Sequence, residues 1–90
     1  MAINFRISTH RNSDNLHLKL MGDFDGSSAC ELINILKANT HNTSMVFIHT
    51  NSLNQIHPFG RRVFCNNLHD INGGSLKFVF TGEKALQLEP

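Results

Sequence analysis

The spacing of apolar residues changes along this 90-residue chain, and that change constrains its fold more than any other feature. Apolar and polar residues alternate in three stretches, 3–8, 16–21 and 76–81, which is typical of strands with one buried face. The apolar run Met45–Ile48 has no alternation, which predicts a short strand covered on both faces. The sequence therefore predicts four strands.

Two other stretches place apolar residues three and four positions apart, which predicts amphipathic helices over about 28–38 and 58–71. Ser28 and Glu31 have the spacing of a capping box at the start of the first helix. Pro58 suits the first turn of the second helix, because proline has no N–H to donate there. The polar segment between Met45–Ile48 and Pro58 is predicted to be mostly loop.

The order β, β, α, β, α, β predicts an α/β fold with a small mixed sheet. Strands two, three and four are separated by helices, so right-handed crossovers would make them parallel. The polar run Thr9–Asn15 predicts a hairpin loop that makes strand one antiparallel. Two main helices, and a short C-terminal one within 83–88, would pack on this sheet as a single domain over residues 1–90.

Composition excludes several classes of function. The longest apolar run has four residues, far below the roughly 20 needed to span a bilayer, and the N-terminus has no signal-peptide pattern. We therefore expect a cytoplasmic protein without direct membrane insertion. A net charge of +1 provides no field to attract nucleic acid. Cys30 and Cys65 lie in the predicted helices without metal-type spacing, so buried free thiols are predicted.

Three short motifs occur at defined positions relative to the predicted helices and strands. Gly22-Asp23-Phe24-Asp25 precedes the first helix, Val46-Phe47-Ile48 is followed by a loop and by Gly60 in the second helix, and Gly74–Gly82 covers the last strand. From Leu18 to Gly82 this pattern resembles the STAS domain family, which includes bacterial anti-sigma factor antagonists. The resemblance implies a bacterial protein of transcription regulation and signal transduction that binds a protein partner, an anti-sigma factor or related serine-kinase ATPase.

The sequence also departs from the family pattern. Phosphorylatable members have an aspartate followed by serine or threonine at the start of the second helix, where this chain has His57-Pro58. Proline has no hydroxyl, so phosphorylation at the usual position is not expected. The acid that usually ends the third strand is replaced by His49. The resemblance places the partner-binding residues at one corner of the fold: Asp23, Asp25, His57, Pro58, Phe59, Gly60 and Arg61.

Other functions stay open at this point. The same fold could serve as an accessory subunit bound to the ATPase of an ABC-type lipid transporter, and a homodimer is also left open. A different class of function is a metal-dependent enzyme using His49, His57, Asp23 and Asp25. The chain has no evident nucleophile or catalytic spacing, so we predict no enzymatic activity, catalytic residue, metal or cofactor. His57 could pair with Asp25, although an exposed loop histidine is the stronger expectation.

Overall fold

A four-stranded mixed sheet forms the centre of the protein. The computed structural model describes residues 4–39, 43–72 and 76–89. The elements in these ranges follow the predicted order: β1 (Arg6–Asn12), β2 (Asn15–Phe24), α1 (Gly26–Ala38), β3 (Met45–Ile56), α2 (Pro58–Asn72), β4 (Lys77–Thr81) and α3 (Ala85–Leu88).

The strands are ordered β1-β2-β3-β4 across the sheet. β1 is antiparallel to β2, whereas the β2–β3 and β3–β4 pairs are parallel, which confirms the predicted mixed sheet. The hairpin loop is shorter than predicted, because pairing continues to Asn12 opposite Asn15. The polar residues of 9–12 are exposed, and main-chain pairing on an exposed strand does not require apolar side chains.

β3 differs most from the prediction. It continues to Ile56, because its main chain stays paired with β2 as far as Phe24 opposite Ile56. Thr50 is fully buried, and its hydroxyl donates a 2.7 Å hydrogen bond to the carbonyl oxygen of Thr81. The strand is also not covered equally on both faces: Val46 is buried, whereas Phe47 is only half-buried.

The start of α1 also differs from the prediction. The helix begins at Gly26 and its N-cap is Asp25, so the predicted capping box at Ser28 is wrong. Ser28 lies inside the first turn and is buried. The start of α2 at Pro58 is confirmed. The Gly73-Gly74 pair, which follows the predicted end of this helix at residue 71, lies outside the described residues.

The hydrophobic core lies between the helices and one face of the sheet. Phe64 of α2 is at its centre, edge-to-face with Phe24 of β2 and Phe80 of β4, with ring centroids 6.2 and 6.1 Å apart. The opposite face of the sheet bears half-buried and exposed side chains.

Cys65 is partly buried, but Cys30 is exposed, because it lies on the side of α1 that faces away from the core. None of the helices in the described part of the chain has the length and apolar character of a membrane span.

Candidate functional site

The first turns of α1 and α2 lie directly against each other. A Cβ atom on Gly60 would be 2.7 Å from the carbonyl carbon and oxygen of Asp25. Cβ atoms in real structures essentially never come this close to another heavy atom. A Cβ atom on Gly26 would be 2.8 Å from the Phe59 ring. The two glycines therefore allow the close approach of the two helix starts. We call this region, residues 23–26 and 57–60, the helix-start corner.

Asp25 shapes the α1 side of the helix-start corner. Its Oδ1 atom accepts hydrogen bonds from the main-chain N–H and the hydroxyl of Ser28, both at 2.9 Å. The Ser28 main-chain bond is the chief reason why the pKa of Asp25 is lowered, since it stabilises the charged form. The carboxylate is therefore held in place at the N-terminus of α1, where negative charge is favourable.

Replacing Asp25 with alanine should destabilise the protein by about 1 kcal/mol, the usual cost of losing an N-cap. Because its pKa is lower in the folded state, Asp25 stabilises the fold fully above the unfolded aspartate pKa of about 4, and this stabilisation is lost as pH falls through the folded pKa. Urea unfolding of wild type and Asp25→Ala at pH 7 and pH 2.5 tests both statements. Asp25→Asn keeps a capping oxygen and should remain close to wild type at pH 7.

An open groove runs between the first turns of the two helices. It has a volume of about 730 Å³. Phe59, with 65% of its surface exposed, and Val63 form its apolar side on α2. The α1 side is mainly polar and includes the two acids Asp25 and Glu31. The groove is lined by Asp25, Gly26, Ser27, Cys30, Glu31, Asn34, Phe59 and Val63.

The structure brings together only some of the residues predicted to bind a partner. Asp25 and Phe59 line the groove, Gly60 is buried against the main chain of Asp25, and His57 and Pro58 are exposed at the start of α2. The main-chain N–H of His57 donates to the carbonyl of Phe24, which fixes the turn into α2.

Two residues that were predicted to bind a partner, Asp23 and Arg61, make side-chain hydrogen bonds outside the groove. Asp23, near the end of β2, has its Oδ2 atom 3.5 Å from the side-chain amide nitrogen of Asn4. The guanidinium of Arg61 turns toward the C-terminal segment, where Nε donates a 2.6 Å hydrogen bond to the carbonyl of Gln87. Arg61 therefore contacts the end of α3 and is not among the groove-lining residues.

The residues on the α1 side of the groove were not predicted from the sequence. Ser27, Cys30, Glu31 and Asn34 stand at positions i, i+3, i+4 and i+7, which places them along one side of a helix. They lie next to the apolar stripe that made the helix recognisable. The sequence therefore contains the helical spacing that puts these four residues on one side of α1. A mainly polar stripe is nevertheless the ordinary solvent-facing side of a helix, and it predicts no groove by itself.

The metal centre considered from the sequence receives no support from the structure. His49 lies on the open face of the sheet, where its Nε2 atom is 3.0 Å from Nδ1 of His17 and its Nδ1 atom is 2.6 Å from Oγ1 of Thr81. His57 lies at the start of α2. Across the described residues, no three or more histidine, cysteine or acidic side chains are grouped so that they could hold a metal ion.

Comparison with known proteins identifies the fold. No family model matches the sequence, and no curated protein matches it. Among solved structures, a crystal structure of Mglu is 17% identical with a TM-score of 0.74; 86% of this chain aligns with 19% of that chain. This chain thus spans about a fifth of Mglu.

Two further structures align over most of both chains. The unphosphorylated anti-sigma factor antagonist SpoIIAA is 7% identical with a TM-score of 0.68, over 94% of this chain and 80% of that one. The STAS domain of an antisigma-factor antagonist from Rhodobacter sphaeroides is 8% identical with a TM-score of 0.71, over 92% and 91%. At these identities the likeness concerns the fold. The protein has a STAS-like α/β fold, as its sequence pattern predicted.

Proposed function

We propose that this protein is a non-catalytic binding module that docks a protein partner at the helix-start corner. The observation that carries the proposal is Phe59, a large apolar side chain left 65% exposed beside an open groove. Aromatic residues are enriched among the residues that dominate binding energy, particularly where they adjoin a pocket. Asp25 and Glu31 on the opposite side of the groove suit a partner that presents basic side chains next to an apolar one.

The partner we propose is an anti-sigma factor or a related serine-kinase ATPase, in keeping with the STAS-like fold. Binding would be constitutive at this corner, because the position that is phosphorylated in other STAS domains is Pro58. A phosphate placed at a helix N-terminus would add negative charge close to Asp25 and would change any surface docked there. A proline cannot undergo that change, so regulation would act through the partner.

Replacing Phe59 with aspartate should weaken binding to the cognate partner by at least about 2 kcal/mol, the threshold of a binding hot spot, which corresponds to roughly 30-fold in affinity. The change removes the exposed ring and adds a third carboxylate beside Asp25 and Glu31. Surface plasmon resonance with the purified anti-sigma factor and, in parallel, with the transporter-type ATPase from the same genome measures the effect.

Leu86 supplies the matched control. It is the other large apolar side chain exposed among the described residues, at 84%, and it lies on α3, outside the groove lining. Leu86→Asp makes the same chemical change there and should bind like wild type. Equal affinity of Phe59→Asp and wild type for a partner that wild type does bind would refute the proposed corner.

The choice between the two partner classes rests on that same measurement. An accessory subunit of an ABC-type lipid transporter would bind the transporter ATPase and not the anti-sigma factor. No observation in the structure favours the enzyme hypothesis, since the histidines and acids that it requires are not grouped within the described residues.

A further inference from the structure

Side chains from three neighbouring strands meet on the open face of the sheet, opposite the core. His17 of β2 is opposite Phe47 of β3, and His49 of β3 is opposite Thr81 of β4. The His17 ring is parallel to that of Phe47 with centroids 4.5 Å apart, and to that of His49 with centroids 5.3 Å apart. The two imidazoles and the phenyl ring therefore form one parallel stack.

A chain of hydrogen bonds joins these side chains across the strands. Nδ1 of His17 is 3.0 Å from Nε2 of His49, and Nδ1 of His49 is 2.6 Å from Oγ1 of Thr81. A neutral imidazole donates through one nitrogen and accepts at the other, and a hydroxyl can do either. His17 can therefore donate to His49, which donates to Thr81, or all the hydrogens can be reversed. Either way, one hydrogen lies in each gap.

This chain can take up one additional proton but not two. A charged imidazole has a hydrogen on both nitrogens. When His17 carries the charge, it still donates through Nδ1 to His49, and its ring lies over the face of Phe47, where a cation is favourable. A second proton, on His49, puts a hydrogen on each of the two facing nitrogens. Neither nitrogen can then accept, so the bond between the rings is lost and two positive rings face each other.

The surroundings make the second proton unfavourable. Burial lowers the pKa of His49 most, and the nearby His17 and Lys19 lower it further. The other charged or titratable groups that the strand pairing places on this face include four cationic types: Arg6 and His10 of β1, Lys19 of β2 and Lys77 of β4. Among the described residues, the acids of these strands and their turns are Asp14, Asp23 and Glu83. None of the three is opposite either histidine in the sheet.

We propose that the chain formed by His17, His49 and Thr81 is an acid-operated latch on the open face of the sheet. With no added proton or with one, the latch joins β2, β3 and β4 and holds the three rings together. A second proton breaks the bond between the histidines, and movement of either ring uncovers part of Phe47. The latch goes beyond partner binding at the helix-start corner and does not depend on it.

The latch fixes the direction of a change in stability with pH. Imidazoles in the unfolded chain have a pKa of about 6.5. Because the pKa of His49 is lowered in the folded protein, its contribution to stability is complete above about pH 6.5. The contribution is lost as the pH falls through the folded pKa, where the second proton enters. Acid therefore opens the latch.

NMR of the ring nitrogens of the wild-type protein between pH 8 and pH 4.5 tests the latch directly. We expect His17 and His49 to take up two protons in separate steps, the second bound at least tenfold more weakly than the first. The nuclear Overhauser effects that join the rings of His17, His49 and Phe47 should weaken with the second step. Independent proton uptake by the two histidines, or ring contacts that persist after both protons are bound, would overturn the proposal.

A variant that cannot open gives a second test. In His49→Gln the side-chain amide keeps a donor and an acceptor but takes up no proton in this pH range. Between pH 7 and pH 5, the unfolding equilibrium constant of wild type should rise at least threefold more than that of His49→Gln, as measured by urea unfolding. His57→Gln is the matched control at the exposed start of α2 and should keep the pH dependence of wild type. The same pH dependence in His49→Gln as in wild type would refute the latch.

Discussion

Phe64→Ala should lower the free energy of unfolding by about 3–5 kcal/mol, the range found when a buried phenylalanine is truncated. Phe64 is fully buried, and its ring contacts Phe24 and Phe80 edge-to-face. Its removal leaves a cavity at the point where α2 meets β2 and β4. The free energy of unfolding of a small domain is only about 5–15 kcal/mol, so Phe64→Ala would remove a large part of it.

Guanidinium chloride unfolding followed by circular dichroism measures this change. Leu86→Ala is the control, because that side chain is 84% exposed and its truncation should change stability by less than about 0.5 kcal/mol. A loss below about 1 kcal/mol for Phe64→Ala, with an unchanged denaturant slope, would mean that the ring is not at the centre of the core.

Gly60→Ala is expected to destabilise the protein by about 2–3 kcal/mol, as overpacking of a closely fitted site does. The new methyl group would lie 2.7 Å from main-chain atoms of Asp25, which cannot move without shifting the start of α1. This cost exceeds the roughly 1 kcal/mol that alanine gains over glycine within a helix. Thermal and urea unfolding measure the net effect.

Gly26→Ala is the matched control. Its methyl group would meet only ring atoms of Phe59, an exposed side chain that can turn away. We expect its stability to stay within about 1 kcal/mol of wild type, because helix propensity offsets the displacement of the ring. Partner affinity should fall nonetheless, since Phe59 would leave its place beside the groove. Equal stabilities of the two variants would contradict the close contact at Gly60.

The helices were predictable because their signals are local. The apolar stripe of each helix records which side is buried, and Pro58 marks the start of α2 by its own chemistry. The start of α1 was misplaced because Ser28 and Asp25 are both good caps in isolation. The structure selects Asp25, while the Ser28 hydroxyl lies within hydrogen-bond distance of both the Asp23 carbonyl oxygen and the Asp25 carboxylate, which share its single hydrogen.

The extent of β3 could not be predicted in the same way. Its second half contains polar residues that resemble a loop, yet the strand continues because β2 supplies main-chain partners as far as Phe24. Thr50 is polar and fully buried, which is acceptable only because the carbonyl of Thr81 accepts its hydrogen bond. Both facts depend on a neighbour that is distant in sequence.

The sequence by itself determined the order of strands and helices, the buried side of each helix and the absence of a hydroxyl at residue 58. These depend on spacing within one element or on the chemistry of one residue. Only the tertiary structure decided that Phe59 stands over Gly26 beside a groove, and that His17 meets His49, 32 positions later in the chain. The reason is that contacts between elements depend on strand register and helix packing, which no local pattern of residues encodes.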